Sequence, residues 1–284
     1  MKAFFKKLKY NPFEIADALV LDLINFYEFI SFYGLKIFGK YNFLRRNEIL
    51  RNNYKDKRIF LLGNAPSLNN FDLKKLSNEI VIMVNRSFMH EDYDKIKPKF
   101  HLILDSKMET GEWPIDYIEI ILSKNPEVNL LLNAKWFSLD KFKKYQKYKN
   151  IFWIKSKSIS LFFNNFNNNI ASLFSSTAVV EQGLSLAIYL GSKKIYIMGV
   201  ELNGILNLMN DKESHFNGKD PDYEKSNSWH WARAMNSSSR GIRQFHRINE
   251  LCEKNGIKLI NLSNTGLLDF IPKDNYETIL KSDK

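Results

Sequence analysis

The sequence predicts an α/β protein: a Rossmann-like, mostly parallel sheet with helices on both faces, a lid loop, and an N-terminal amphipathic helical extension. Three features carry that reading. Short apolar runs recur from residue 58 onward, and they end in small or polar residues such as Gly63, Asn85, Asp105 and Gly199. Helical patterns separate several of these runs, and strand–helix alternation argues for a parallel sheet covered on both sides. With 44% hydrophobic and 14% aromatic residues in 284, the chain can fill a core and is not expected to be disordered over most of its length.

The first fifty residues differ from the rest. Lys2, Lys6, Lys7 and Lys9 sit among Phe4, Phe5, Leu8 and Tyr10. After Pro12, the apolar residues Ile15, Leu19, Leu23, Phe26, Ile30 and Tyr33 recur at helical steps, and Lys40, Arg45, Arg46 and Arg51 follow. One reading is a membrane-surface contact, with aromatics in the interface and lysines on anionic lipid. The other is a helix packed on the rest of the chain or on another subunit. A spanning helix over residues 18–38 is not expected. It would bury Asp22, Glu28 and Lys36, at about 2.5–3.5 kcal/mol for each Asp or Lys. No small-residue cleavage site marks a secretory signal.

From residue 57 the alternation begins. Strands are expected at 58–62, 80–84, 101–104, 128–132 and 151–154. A buried helix over 178–190 stops at Gly191, and a strand at 194–198 ends in Gly199. An amphipathic helix over 241–255 is capped by Gly256, and 257–261 is the last clear strand. Residues 162–169, FFNNFNNN, read as a low-complexity loop. Residues 203–239 are polar, hold Gly204, Gly218 and Pro221, and lack a period; a stretch that long suggests a lid or binding loop. The chain thus divides into an N-terminal amphipathic helical segment, 1–54, and an α/β domain, 55–284, with its lid at about 203–239.

A formal charge of +11 points to an anionic partner. The lysines spread along the chain rather than forming one stripe, so nucleic acid is not the expected partner. A homo-oligomer is compatible with the sequence. The single cysteine, Cys252, excludes an internal disulfide and a multi-cysteine zinc site, and its helical setting suggests burial.

In parallel sheets, ligands bind beyond the carboxyl ends of the strands. There the run Gly63-Asn64-Ala65-Pro66-Ser67-Leu68 follows the first strand. Glycine admits close backbone approach, and Pro66 and Ser67 suit the first turn of a helix. Free amides at that turn would accept a phosphate.

The segment RIFLLGNAPSLNNFDLKKL resembles the opening of bacterial sialyltransferases that decorate surface oligosaccharides. It also resembles a broader family that includes motility-accessory glycosyltransferases and 6-hydroxymethylpterin diphosphokinase-like enzymes. IVIMVNRSF is similar to the second strand of these enzymes, which implies a nucleotide contact at Asn85. SSTAVVEQGLSLAIYLGSKKIYIMGVEL resembles their Ser/Thr loop, buried helix and following strand, which implies that Ser175, Ser176 and Thr177 lie near phosphate and that Glu201 lies after the strand. KLINLSNTGLLDFIP resembles the closing strand, with Asn261, Ser263 and Asn264 on the nucleotide side. The matched order runs from about Lys57 to Pro272.

The sialyltransferase resemblance implies direct displacement on a CMP-activated acidic sugar (sialic acid, Kdo or similar) and transfer to a bacterial surface glycan or lipid-linked acceptor. A general base would take the acceptor's proton, and histidine suits that role. In the family the base lies in a Ser-His-Tyr-x-Gly-His arrangement. Here Phe216 stands for the tyrosine and Lys219 for the second histidine. His215, His230 and Asp105 are therefore the candidate bases. The candidate nucleotide contacts are Gly63, Asn64, Ala65, Ser67, Asn85, Ser176, Thr177, Glu201 and Asn264. Trp229 and Trp231 flank His230 and could stack on a sugar face or a base, or fold the lid onto the core; Arg233, Arg240 and Arg243 could neutralise phosphate or a sugar carboxylate, a role that needs only one of the three. Asp220-Pro221-Asp222 has a DxD form but follows no strand, so no metal is expected, and no cofactor beyond the nucleotide-sugar donor. His90 and His101 read as structural. The expected location is cytoplasmic, peripheral at the inner membrane. The alternative reading is an ATP- and Mg²⁺-dependent diphosphokinase using a carboxylate cluster of Asp105, Glu201 and Asp269. The third is a non-enzymatic membrane- or nucleic-acid-binding module.

Overall fold

A computed structural model describes residues 12–158, 172–174, 178–218 and 227–282. The chain begins with the helices α1 (Pro12–Ile37) and α2 (Asn42–Arg45), followed by a short 3₁₀ turn, Arg46–Leu50. The body then runs β1 (Arg58–Leu62), β2 (Ile80–Val84), α3 (Tyr93–Ile96), β3 (Phe100–Ile103), α4 (Lys107–Thr110), α5 (Tyr117–Lys124), β4 (Asn129–Asn133), β5 (Ile151–Lys157) and β6 (Ser172–Phe174). It closes with α6 (Val179–Tyr189), β7 (Lys194–Met198), α7 (Gly204–Met209), α8 (Ser228–Lys254), β8 (Lys258–Asn261) and α9 (Tyr276–Ser282).

The strands form one eight-stranded sheet in the order β6-β5-β4-β3-β2-β1-β7-β8, and each neighbouring pair is parallel. The chain steps outward from β1 to β6, then crosses back to lay β7 on the other side of β1. The carboxyl ends of β1 and β7 therefore flank a topological switch point, where open α/β sheets hold their ligands.

Strand alternation builds two cores. Ile59, Leu61, Ile82, Val84, Leu102 and Ile197 face a layer made by α6 and the second half of α8, through Leu184, Leu186, Phe245, Ile248 and Cys252. Phe60, Leu62, Val81, Met83, Leu130 and Met198 face the other layer, through Ile118, Ile121, Trp136 and Ile279. Burial pushes the Cys252 thiol up to about 12, so it serves as a small core hydrophobe.

The expected sheet and its helices on both faces are present. Two local expectations need correction. Residues 203–239 are not irregular throughout: they contain α7, and residues 228–239 are the first turns of the 27-residue helix α8. A further edge strand, β6, follows the expected low-complexity loop at 162–169, which lies outside the described residues.

The N-terminal helix lies against the body through polar side chains. Asn25 exchanges two hydrogen bonds with the backbone of Ser158, at 2.7 and 2.9 Å. Glu28 accepts from Lys155 Nζ at 2.5 Å, and Asp17 pairs with Arg240 and Arg243 at 2.9 and 2.8 Å. Arg240 and Arg243, two of the three arginines read from sequence as candidates to neutralise phosphate or a sugar carboxylate, are thus engaged with Asp17. Downstream, Leu44 and Leu50 are buried in the two cores, and Asn47 Nδ2 donates to the Trp153 carbonyl at 2.7 Å.

Candidate active site

The first loop is held closed by its neighbour. The Gly63 amide donates to the Met198 carbonyl at 2.8 Å, and the Ala65 amide donates to the Gly199 carbonyl at 3.0 Å. The Ser67 amide donates to Glu201 Oε1 at 2.9 Å. Three of the loop amides expected to be free for phosphate are therefore used inside the protein. Gly63 is required for another reason: a β-carbon there would fall inside the contact shell of the Gly199 carbonyl oxygen. Ser263 completes the knot. Its Oγ accepts from the Gly199 amide at 3.0 Å and lies 3.2 Å from Ser67 Oγ. Pro66 opens only a five-residue 3₁₀ turn, Pro66–Asn70.

Above this knot, at the carboxyl ends of β1, β2 and β3, lies a hollow of about 790 Å³. Asn64, Asn85, Asp105, His215 and His230 line it, together with Arg86, Lys107 and Arg233. A second hollow of about 550 Å³ shares Asn64, Asn85, Asp105 and His215 and adds Ala65 and Glu201. All three candidate bases thus face one space. Gly63, Ser67 and Asn264 line neither hollow; Asn264 is exposed, and its carbonyl accepts from Lys273. Ser175, Ser176, Thr177, Lys219 and the Asp220-Pro221-Asp222 motif lie outside the described residues.

Each wall is positioned by a local device. Asn85 follows β2 in the left-handed region, at φ 49°, which asparagine tolerates better than most residues. Its carbonyl lies 2.8 Å from His101 Nε2, which must therefore carry the proton. His101 Nδ1 then accepts from the Tyr93 hydroxyl at 3.2 Å. His101 is fully buried, and desolvation lowers its pKa to about 4, so the ring is neutral. The structural reading of His101 stands, and its role is to hold Asn85. Leu202, also lining the hollow, sits at φ 53°, a strained value for a branched side chain.

His215 belongs to a tight turn in which it exchanges backbone bonds with Gly218, each 3.1 Å. The turn docks on the first loop: the Phe216 amide donates to the Asn64 carbonyl at 2.8 Å, and Asn69 Nδ2 donates to the Phe216 carbonyl at 2.9 Å. Phe216 is buried and its ring lies 5.3 Å from that of His90. His230 stands in the first turn of α8, not in a loop. Asn227 caps that helix by accepting from the Trp229 and His230 amides at 3.1 Å, and its own amide points at His230 Nδ1 at 3.4 Å. Proton transfer by His230 would thus run through Nε2. Asp105 Oδ1 accepts from the Lys107 amide at 3.0 Å.

Two buried acceptors, Asn64 Oδ1 and Asn85 Oδ1, have no hydrogen-bond partner among the described residues. Both side chains line the hollow, where a ligand N–H or O–H would satisfy them. Sequence reasoning missed Arg86, Lys107 and Trp113. Arg86 lies 5.4 Å and Lys107 5.8 Å from the Trp113 ring centre, a cationic and aromatic wall. Arg86 and Lys107 were findable, because each falls within two residues of a strand-end residue already singled out. Neither Trp229 nor Trp231 lines the hollow, and Trp229 is exposed.

The family model for 6-hydroxymethylpterin diphosphokinase MptE-like proteins matches residues 37–204, more than half of the chain. The chain belongs to that family. The matched stretch contains β1 to β7 and the strand-end residues Asn64, Asn85 and Asp105; His215 and His230 fall after it. Among solved structures, two of the sialyltransferase CstII from Campylobacter jejuni are similar at 18% identity. The one in complex with cytidine-5'-monophosphate covers 77% of this chain and 85% of its own, with a TM-score of 0.43. The one with CMP-3FNeuAc covers 76% and 86%, with a TM-score of 0.42. No curated protein matches the chain.

Proposed function

We propose that the protein is a glycosyltransferase that takes a nucleotide-activated sugar, with a CMP-linked acidic sugar as donor and a surface glycan as acceptor. One observation carries this reading: three proton acceptors, three cations and two unpartnered amide oxygens line a single hollow. Its volume lies inside the roughly 300–1,000 Å³ range of small-molecule sites. A CMP-linked acidic sugar carries one phosphate and one carboxylate, and Arg86, Lys107 and Arg233 supply matching charge. The Asn64 and Asn85 side chains suit hydroxyl and amino groups of the nucleoside. The strand-end motifs GNAPSL and VNRSF resemble sialyltransferase loops, which supports the same donor.

In the reaction, the base takes the acceptor hydroxyl proton as that oxygen attacks the anomeric carbon. The bond from that carbon to the phosphate oxygen breaks, and CMP leaves with the electron pair. Full-length protein mixed with CMP-sialate or CMP-Kdo and extracted glycolipid should release CMP. Among Asp105→Asn, His215→Asn and His230→Asn, the variant that removes the base should lose roughly 10²–10⁴-fold in kcat. Calorimetry that detects no cytidine nucleotide binding would end the proposal.

Family membership favours a second reading, pyrophosphoryl transfer from ATP. It calls for gathered carboxylates. Asp105 lines both hollows, Glu201 lines the second and is bonded to the Ser67 amide, and Asp269 lines neither. Magnesium-dependent ATP binding, with no response to cytidine nucleotides, would select this reading.

A further inference from the structure

We infer that the outward face of α1 is a docking surface for an anionic lipid interface, independent of the reaction catalysed. The helix is amphipathic in the inverted sense. Its inward stripe holds Ala18, Asp22 and Asn25, which are buried, and the half-buried Glu28. Its outward face is apolar: Leu23 is 71% exposed, Tyr27 69%, Phe26 56% and Ile30 55%. A helix that stabilises a soluble body turns its apolar stripe inward; this one meets the body through hydrogen bonds, ion pairs, Ala18 and, near its end, Phe32 and Leu35, and leaves most of its apolar stripe outside. The residues that gave α1 its helical period in the sequence are largely the exposed ones. Burial of that surface must come from outside the body.

Charge selects the occupant. The acidic side chains described in α1 all turn inward: Asp17 to Arg240, Asp22 into the interface and Glu28 to Lys155. Lys36 alone among the described charged residues of α1 points to solvent. In sequence, Lys2, Lys6, Lys7 and Lys9 precede the helix and Lys40 and Arg45 follow it. An apolar, aromatic strip with basic residues flanking it in sequence and, among the described residues, no outward carboxylate fits anionic headgroups over acyl chains. A second copy fits less well. Antiparallel pairing would set one copy's first lysines against its partner's Lys36 and Lys40, and parallel pairing would set lysines on lysines. Among the described residues no helix is long and apolar enough to cross a membrane, so α1 would lie along the surface.

The test is flotation of the full-length protein with vesicles of phosphatidylcholine alone and of an equimolar mixture with phosphatidylglycerol. The protein should float with the mixed vesicles and be released by salt. Leu23→Glu with Ile30→Glu alters two exposed positions, so the circular-dichroism melt should stay unchanged while vesicle partitioning falls at least about tenfold. Lys36→Glu with Lys40→Glu should weaken binding to the mixed vesicles only. Equal flotation of the Leu23/Ile30 variant, or a wild-type protein that ignores both vesicle types, overturns the proposal. So does sedimentation in which that variant turns a dimer into a monomer while vesicle binding is unaffected, which would assign the face to a second copy.

Discussion

At the scale of single residues, the site depends on groups that never touch the hollow. His101 donates to the Asn85 carbonyl and, as a neutral ring, also accepts from the Tyr93 hydroxyl; burial keeps its pKa near 4 against an ordinary 6.5. In the unfolded chain the ring gains its proton near pH 6.5, whereas the folded protein resists until about pH 4. Between these values the unfolded state binds more protons, so stability falls as pH falls, and the loss levels off below about pH 4. The difference amounts to up to about 3 kcal/mol. Urea unfolding from pH 7 down to about 4.5 should show this acid limb in the wild type and a flatter one in His101→Phe. Parallel curves for the two proteins would remove His101 as the cause. The same scale shows how far sequence reading reached. Asn85 was legible because a polar residue at the end of an apolar run marks a strand exit. Gly63 was also legible, but the close approach that requires it comes from within the chain. Sequence shows that a glycine is needed and not what approaches it; the approaching atom is the Gly199 carbonyl, well over one hundred residues away. Glu201 is the sharper case. Its place after a strand suggested a ligand contact; it lines the second hollow, and its carboxylate also accepts the Ser67 amide that was expected to meet phosphate.

At the scale of elements, the strands were readable and the first half of α8 was not. Strands buried on both faces read as continuous apolar runs, and β1, β2 and β7 have the bounds their runs suggested. Helix α8 shows an apolar period only where it crosses the core, at Phe245, Ile248, Leu251 and Cys252. Its first turns border the hollow and solvent, so Ser237, Ser238 and Arg233 stand where a core helix would carry leucines. The local signal that starts it is Asn227, a strong N-cap residue. Asn227→Ala should weaken that end by about 0.5–2 kcal/mol, and Asn227→Asp should restore it, because an acid also suits the helix dipole. Since the end is exposed, the global melting temperature should hardly move. Hydrogen exchange at the Trp229 and His230 amides should instead accelerate, by about five- to thirtyfold for a loss of 1–2 kcal/mol. The Michaelis constant for the donor should rise with it, because His230 and Arg233 ride on these turns. Unchanged exchange at both amides would show that the cap is idle.

At the scale of the whole molecule, the question is where the extension ends and the body begins. A boundary at residue 54 follows the change in sequence pattern, but patterning records periodicity rather than burial. The stretch from Asn42 to Tyr54 contributes Leu44 and Leu50 to the two cores, and Asn47 to the Trp153 carbonyl. The Asn52 and Tyr54 amides donate to the Tyr189 and Leu190 carbonyls at 3.0 and 2.9 Å. Two buried leucines are worth about 2–5 kcal/mol each, against a typical whole-domain stability of 5–15 kcal/mol. Helix α1 is attached differently. Its polar pairs are supplemented by Phe32 and Leu35, but Ala18 is its one buried apolar side chain among the described residues, and when the helix is removed Lys155, Arg240 and Arg243 regain water. We therefore propose that the separable boundary lies between α1 and α2. A chain starting at residue 42 should fold cooperatively, bind the same nucleotide as the full protein, and no longer float with anionic vesicles. A chain starting at residue 55 should be aggregated or melt far lower. Circular-dichroism melts of the two truncations decide the matter. If the shorter chain melts with the full-length protein, the buried leucines carry little of the fold and the extension up to residue 54 is a domain in its own right.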